Sequence, residues 1–300
     1  MTHKDFLKSL SSADKAALTE RSNAAGLRHL MLHAGLIVFC GFLIALKVPF
    51  WWMLIVPQGI LIAFLFTLQH EATHKTPFAN EHLNEWVGWT SGLLIFQPFL
   101  WFRYFHLMHH RYTNDPANDP ELAGLPKPEN WPDFLWHLSS IGYWRDKVHL
   151  FWSLCFGTID APYLPKRVHP RLRREASGML VIYALALVFT LFVKPVLFWV
   201  WILPLALGFP VLRLYLLAEH GRCPTVANMF NNTRTTYTNR IVRFVAWNMP
   251  YHIEHHTYPQ VPFHMLPAFN AKICEHLGVT SLGYGRFTRD LIVSFNHEST

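Results

Sequence analysis

The chain has 300 residues, 51% of them hydrophobic and only 15% charged, with a formal net charge of +7. Soluble domains carry about 25% charged residues, so this composition argues against an ordinary soluble enzyme and for a membrane protein. Four scattered cysteines, Cys40, Cys155, Cys223 and Cys274, form no CxxC pair, which argues against an iron–sulfur cluster or a zinc knuckle. Twelve Trp and 24 Phe fit the aromatic enrichment of bilayer interfaces, whereas the 19 His need an explanation of their own.

In chain order, segment 1–29 is polar, mixed in charge and without the apolar core of a signal peptide. The first span is therefore expected to stay in the mature protein. Runs 30–46 and 50–69 are each near the ~20 residues needed to cross ~30 Å of hydrocarbon. Only Lys47, Val48 and Pro49 separate them, which predicts a tight helical hairpin. Runs 178–193 and 196–217, joined at Lys194–Pro195, repeat the design, with Pro204, Gly208 and Pro210 expected to bend the last helix. Segment 88–102 is too short to span comfortably and reads as re-entrant or interfacial. Segments 131–144 and 148–164 read as two interfacial helices with polar flanks.

Charge orients this plan. Five Lys/Arg precede residue 31, eleven lie in 70–177 and seven follow residue 218, against one at each hairpin turn, Lys47 and Lys194. Basic loops stay cytoplasmic, so both termini and the middle segment share one side, which requires an even number of spans. The prediction is an all-α integral membrane protein with four transmembrane helices in two hairpins. It forms a single domain over 30–300 behind segment 1–29, with a cytoplasmic cap from 70–177 and 218–300. The basic excess belongs to that face, and no nucleic-acid partner is expected.

The histidines cluster in the cap. HEATH at 70–74 places His70 and His74 four apart, on one face of a helix. HLMHH at 106–110 relates His106 to His109 and His110 by three and four, and HIEHH at 252–256 repeats this with His252, His255 and His256. Neutral imidazole suits iron, zinc, copper or nickel. Eight histidines exceed what one tetrahedral zinc uses, so two metal ions match the supply better. His220, just past the fourth span, shares the side and depth of the first cluster and joins them as a ninth candidate. His33, inside the first span, is either functional or turned to a neighbouring helix. His264 and His276 read as surface or supporting residues.

These three clusters resemble the histidine boxes (HxxxH, HxxHH, HxxHH) of the membrane fatty acid desaturase and hydroxylase superfamily, over about Leu65 to Phe269. TNDPANDPE after the second box and NMPYH with YPQVPFH around the third are similar to bacterial acyl-lipid desaturases. The resemblance implies two irons that activate O₂ as cosubstrate. It implies the ligands His70, His74, His106, His109, His110, His220, His252, His255 and His256, with no catalytic residue separate from them. Animal acyl-CoA desaturases of this superfamily space the first box one residue wider and carry a water-bridged Asn one turn before the isolated histidine. Leu216 stands there in this chain, which favours a membrane-lipid substrate over acyl-CoA.

Glu71, Glu219 and Glu254 each adjoin one of these histidines, but a neighbour on a helix points about 100° away. They either orient an imidazole or serve elsewhere. Asp115 and Asp119 are first of all turn formers, with the same alternative. Arg234 and Arg240 read either as a basic membrane-facing loop or as contacts for a lipid phosphate, a carboxylate or an electron donor. No GxGxxG, no four-cysteine cluster and no haem-binding HPGG occurs. Electrons are therefore expected from a separate ferredoxin, rubredoxin or cytochrome, steered by the basic face. Three activities fit: desaturation of a lipid acyl chain, hydroxylation of a lipid, carotenoid or other apolar molecule, or, in another class, metal transport or sensing. The expected location is the bacterial inner membrane with the metal site cytoplasmic.

Overall fold

The computed structural model describes residues 1–124 and 127–295; the end of the C-terminal cap segment, 296–300, lies outside the described residues. Two short helices, α1 (His3–Ser9) and α2 (Ser12–Leu18), precede α3 (Asn23–Ala45). Thr2, Ser11 and Ser22 cap the three with side-chain oxygens. A one-turn 3₁₀ segment, Trp51–Leu54, leads into α4 (Ile55–Ala63) and α5 (Leu65–Thr73). There follow α6 (Glu81–Leu94), α7 (Phe99–Tyr112), α8 (Trp131–Ser139), α9 (Ile141–Cys155) and α10 (His169–Phe192). A π-helical turn, Phe198–Ile202, opens α11 (Leu203–His220). The C-terminal cap comprises α12 (Met229–Asn232), β1 (Thr235–Tyr237), α13 (Arg240–Val245), α14 (His252–Thr257), α15 (Leu266–Ile273), β2 (Thr280–Leu282) and α16 (Tyr284–Phe295). Strands β1 and β2 pair in parallel, Thr235 opposite Thr280.

Among the described residues, four stretches are long and apolar enough to cross a membrane: Ser12–Ala45, Trp51–Thr73, Lys166–Phe192 and Phe198–His220. The outer two expose apolar side chains along their length. Met31, Leu32, Val38, Phe39 and Phe42 lie open on α3, and Val181, Leu185, Leu191 and Phe192 on α10. Such a surface is stable in lipid, not in water. The inner pair, α4 and α11, meet backbone to backbone. A Cβ on Gly59 would strike the Pro204 carbonyl, and one on Gly208 would strike the Gly59 backbone. Gly208 therefore permits close approach of the two backbones. Pro204 sits in the first turn of α11, where a missing N–H is harmless. Of the two prolines, only Pro210 lies in the helix interior.

The first span begins earlier than the apolar run suggests. Its polar early turns face the cap: Gly26 lies against Phe78, and the His29 ring sits 4.2 Å from Trp247 and 4.6 Å from Phe244. One turn on, buried His33 has Nε2 2.9 Å from the Leu61 carbonyl, while Trp247 Nε1 donates to its Nδ1 at 3.0 Å. His33 thus turns to neighbouring elements and ties α3 to α4 and the cap. Phe6 and Leu18 join the same central core, with Phe230 and Phe269.

The re-entrant or interfacial segment 88–102 is the corner between α6 and α7, with Phe96 in the left-handed region at φ 58°. Gly88 lies under the Phe99 ring and Gly92 against Gln69. The two interfacial helices are divided differently from the expected 131–144 and 148–164. Ser140, at φ 61°, ends α8, and α9 runs unbroken through 145–147, while 156–164 is not helical. The charged triplet Arg145-Asp146-Lys147 reads as a break, yet on the helix only Lys147 turns inward and is buried.

Candidate metal centre

Four segments deliver the histidines to one place. His70 lies in α5 and His74 caps its end; His106, His109 and His110 share the C-terminal half of α7; His220 ends α11; His252, His255 and His256 lie in α14. Each segment is bounded by a left-handed non-glycine residue: Lys75, Asn114 and Arg222 follow the helices, and Trp247 with Asn248 precedes α14. These sharp exits turn the chain away directly behind the imidazoles.

All nine rings converge, in two groups. The first holds His70, His106, His110 and His255, whose nitrogens lie within 4.8 Å of one another. His74 joins it, with Nε2 2.9 Å from His106 Nε2. The second holds His109, His220 and His256, and His252 joins with Nε2 3.2 Å from His220 Nε2. The groups adjoin where the His110 and His256 rings stack at 4.0 Å. Within each HxxHH box the i, i+4 pair serves one group and the i+3 member serves the other. The first and third histidines of the second box go to the first group, and those of the third box go to the second.

The tautomers show what the second group requires. His220 Nδ1 faces the Asn232 carbonyl at 3.3 Å. His256 Nδ1 lies 3.1 Å from Thr113 Oγ1, whose hydrogen is given to the His109 carbonyl. His109 Nδ1 lies 3.0 Å from Asp119, which also accepts from the Asn114 and Glu121 amides. His252 Nδ1 lies 3.4 Å from Glu219. A ring that gives its Nδ1 hydrogen to an acceptor keeps a lone pair on Nε2. That of His109 lies 3.2 Å from that of His220, and His256 Nε2 is buried with no partner. Lone pairs this close repel unless a cation lies between them, so the donor set fits a metal ion. Burial, the largest influence, also holds His74, His106, His110, His252 and His256 well below the usual imidazole pKa, and His255 down to about 3. These rings are neutral and ready to bind metal at pH 7. His109 differs: burial opposes its charge, but Glu121 and Asp119 outweigh burial and raise its pKa.

The acidic neighbours act across elements, not on their own boxes. Glu71, beside His70, reaches to 3.5 Å of His255 Nδ1, and Glu219, beside His220, serves His252. Glu254 serves no histidine; it accepts from Thr235 Oγ1 at 2.6 Å and from Asn270. Asp119 is buried on His109, whereas Asp115 stays in an exposed turn with Ala117 and Asn118. Arg234 is not free to meet lipid or donor. It is buried, its Nη1 bonds the Ala218 and Gly221 carbonyls at 2.6 and 2.7 Å, and it thereby closes the end of α11 that carries His220. Arg240 is exposed. His276 packs on Phe6 and Phe230, and half-buried His264 packs on Phe263 at 5.4 Å. Sequence reasoning missed Thr113 and Asn232, since nothing in the sequence distinguishes them from other turn polar groups.

Both groups open on one cavity of about 350 Å³, within the range of ligand sites (about 300–1,000 Å³). Phe66, Trp101, Phe102, Phe105 and Leu216 supply apolar wall, and His70, His106, His109, His220 and His252 line the same space. Leu216 therefore borders the centre without a polar group to offer it.

Comparison with known proteins agrees with this architecture. The family model described as "Fatty acid desaturase" matches residues 48–287. An sn-1 oleoyl-lipid 12-desaturase from Picosynechococcus is 24% identical over 286 residues, covering 89% of this chain and 68% of that protein. A sphingolipid delta(4)-desaturase/C4-monooxygenase from Mus musculus is 25% identical, covering 66% of this chain and 58% of that protein. An sn-1 linoleoyl-lipid 6-desaturase from Synechocystis is 33% identical over 95 residues, 31% of this chain and 25% of that protein. With four apolar helices and a histidine centre able to hold metal, this is an integral membrane protein. The match over most of its length makes the chain a member of the fatty acid desaturase family.

Proposed function

We propose that the protein is an O₂-dependent di-iron oxidoreductase that introduces a double bond into a lipid acyl chain. The observation that carries this reading is the convergence of nine imidazoles, seven of them buried, in two groups, on an apolar cavity. The ligands are His70, His74, His106, His110 and His255 for one iron, and His109, His220, His252 and His256 for the other. Bound iron supplies the redox chemistry that lets O₂ remove hydrogen from an unactivated C–H bond. In balance, one CH₂–CH₂ unit, O₂, two electrons and two protons give CH=CH and two waters. The chain's own part is positional. Asp119, Glu219 and Glu71 aim imidazoles through Nδ1, Asn232 and Thr113 do the same with neutral oxygens, and the aromatic wall of α7 excludes water from the reacting carbon. Electrons come from a separate protein of ferredoxin, rubredoxin or cytochrome type.

Hydroxylation on the same scaffold is the second reading, since the mouse relative is named both desaturase and C4-monooxygenase. Product analysis under ¹⁸O₂ separates the two: a double bond without label, or an alcohol carrying one labelled atom. Metal transport is disfavoured because the imidazoles gather at one end of the spans and do not line a path. Purified active protein should hold about two irons per chain; activity with one metal or fewer would overturn the di-iron reading.

The basic segments support an orientation with the histidine centre and both termini cytoplasmic, in a bacterial inner membrane. Reporter fusions after residues 29, 120 and 300 should all read cytoplasmic, and one at Lys194–Pro195 the opposite side. A split between residue 120 and the C-terminus would overturn it.

A further inference from the structure

The cavity that meets the histidines carries a second chemistry, away from them. Lys147, on α9, is buried and lines it. Its Nζ lies 2.5 Å from Gln97 Oε1, and 4.9 and 4.8 Å from the Trp101 and Tyr143 ring centroids. Gln97 is itself locked, because its Nε2 donates to Gln69 Oε1 and its Oε1 also receives the Tyr143 hydroxyl. Arg213, on α11, flanks the same Tyr143 ring, its Cζ 5.6 Å from the centroid. It donates from Nη2 to His137 Nδ1 at 2.9 Å, and its Nε is buried without a partner.

No carboxylate within ion-pair distance neutralises either cation among the described residues. The acidic groups that share the cavity are otherwise engaged: Asp146 with Arg145, Glu121 beside His109 and Glu219 beside His252. His137 brings no negative charge, since its Nε2 is turned to the Arg213 carbonyl. A buried and a half-buried cation with spare donors and no counter-ion are costly, and they do not suit a purely hydrocarbon occupant. Burial, and then Arg213, push the Lys147 pKa down to about 7, the penalty a bound anion would relieve.

We propose that Lys147 and Arg213 are an anchor for the carboxylate of an apolar carboxylic acid whose chain runs along α7 toward the histidine centre. This rests on the proposed reaction and names its substrate class: a free acid, held head-inward, in place of a chain that stays esterified in a membrane lipid. Trp101, under the Lys147 ammonium, precedes His106 and His109 by about 8 and 12 Å of helix rise. The oxidised carbon therefore lies several bonds from the carboxylate. Trp101, Phe102 and Phe105 supply the apolar wall between the two ends.

The test is equilibrium binding of radiolabelled decanoate to iron-loaded protein in phosphatidylcholine nanodiscs, with empty nanodiscs as blank. Saturable binding near one per chain is expected. Methyl decanoate should compete at least about tenfold more weakly, the effect of losing charge-assisted hydrogen bonds. Lys147→Met and Arg213→Gln should each weaken binding by about tenfold or more with iron content unchanged, and Lys147→Arg should retain it. Equal competition by the methyl ester, or variants that bind decanoate as wild type does, would overturn the anchor. Stronger competition by decyl phosphate than by decanoate would overturn the carboxylate assignment. The proposed reaction fails separately: protein without two irons, or without oxidised product, defeats that reading while decanoate binding stands.

Discussion

The two histidine groups are built from the same residue type but supported differently. In the second group three rings have a hydrogen-bond partner at Nδ1, Asp119, Asn232 and Thr113 for His109, His220 and His256, while His252 Nδ1 has the Glu219 carboxylate at 3.4 Å, outside hydrogen-bond geometry. In the first group the Nδ1 atoms of His70, His110 and His255 are buried without a hydrogen-bond partner, and among the described residues only His255 has an acidic neighbour, Glu71 at 3.5 Å. Orientation in the first group comes from packing: five rings crowd together, with His70 and His106 centroids 4.0 Å apart. The lesson is that imidazoles can be aimed by hydrogen bonds or by confinement. The first route is open to single-atom perturbation, and the second only to changes of volume.

The largest effect should come from removing a ring. His255→Ala deletes one first-group donor and His109→Ala one second-group donor. Each should lose iron and at least about 100-fold of turnover, more than an outer partner is worth, with membrane insertion intact. Iron analysis beside product formation reads this, and a variant with two irons and normal turnover would remove that residue from the site. His220→Gln belongs in the same tier. A helix-end role would cost only about 1 kcal/mol, whereas a ligand role costs the metal, because an amide does not replace imidazole. Full iron content in a turning-over His220→Gln protein would reduce the set to the eight box histidines.

Next comes the support itself. Asp119→Asn should weaken metal binding at the second group by about 10–100-fold and leave the first untouched. Metal titration of the apo-protein should then split into two classes of site. A uniform loss at both groups would show that they do not differ as described.

Proton competition should separate the groups by pH. Protons displace metal only where they bind the ligand. The His109 pKa is raised above its usual 6.5, so affinity at the second group should begin to fall near neutral pH. In the first group, His74, His106 and His110 lie well below 6.5 and His255 at about 3. Its affinity should hold until distinctly acid pH. For the apo-protein the linkage signs follow from the same directions. Depressed histidines give stability present above the unfolded pKa, lost as pH falls from about 6.5 toward 3 for His255. His109 gives stability present below about 6.5, lost as pH rises through its folded value. Melting temperatures of apo-protein across this range should fall on the acid side, where depressed rings outnumber the raised one.

The smallest effect should be at Glu254. Glu254→Gln disturbs contacts to Thr235 and Asn270 and should cost about 1–2 kcal/mol of stability with metal stoichiometry unchanged. A loss of metal comparable to that of Asp119→Asn would show that Glu254 acts on the centre after all.

Local order along the chain carried the plan of the molecule. Apolar runs of membrane length and histidines at i, i+3 and i+4 depend only on helix geometry and on the cost of exposing backbone in lipid, so both are legible in sequence. His220 was reachable because its span had to end where His70 begins. Boundaries were legible only where polarity and burial agree. They failed at 145–147, where Lys147 is drawn inward by Gln97, and at 23–29, where a polar turn packs on Trp247. Which of the two groups each histidine joins, which carboxylate faces which ring, and that Lys147 and Arg213 share a cavity with the centre were decided by tertiary structure alone. Glu71 and His255 stand 184 residues apart in the chain, and Lys147 and Arg213 lie on different helices. A helix fixes the direction of a side chain relative to its own axis, and only the packing of helices against one another decides what that direction meets.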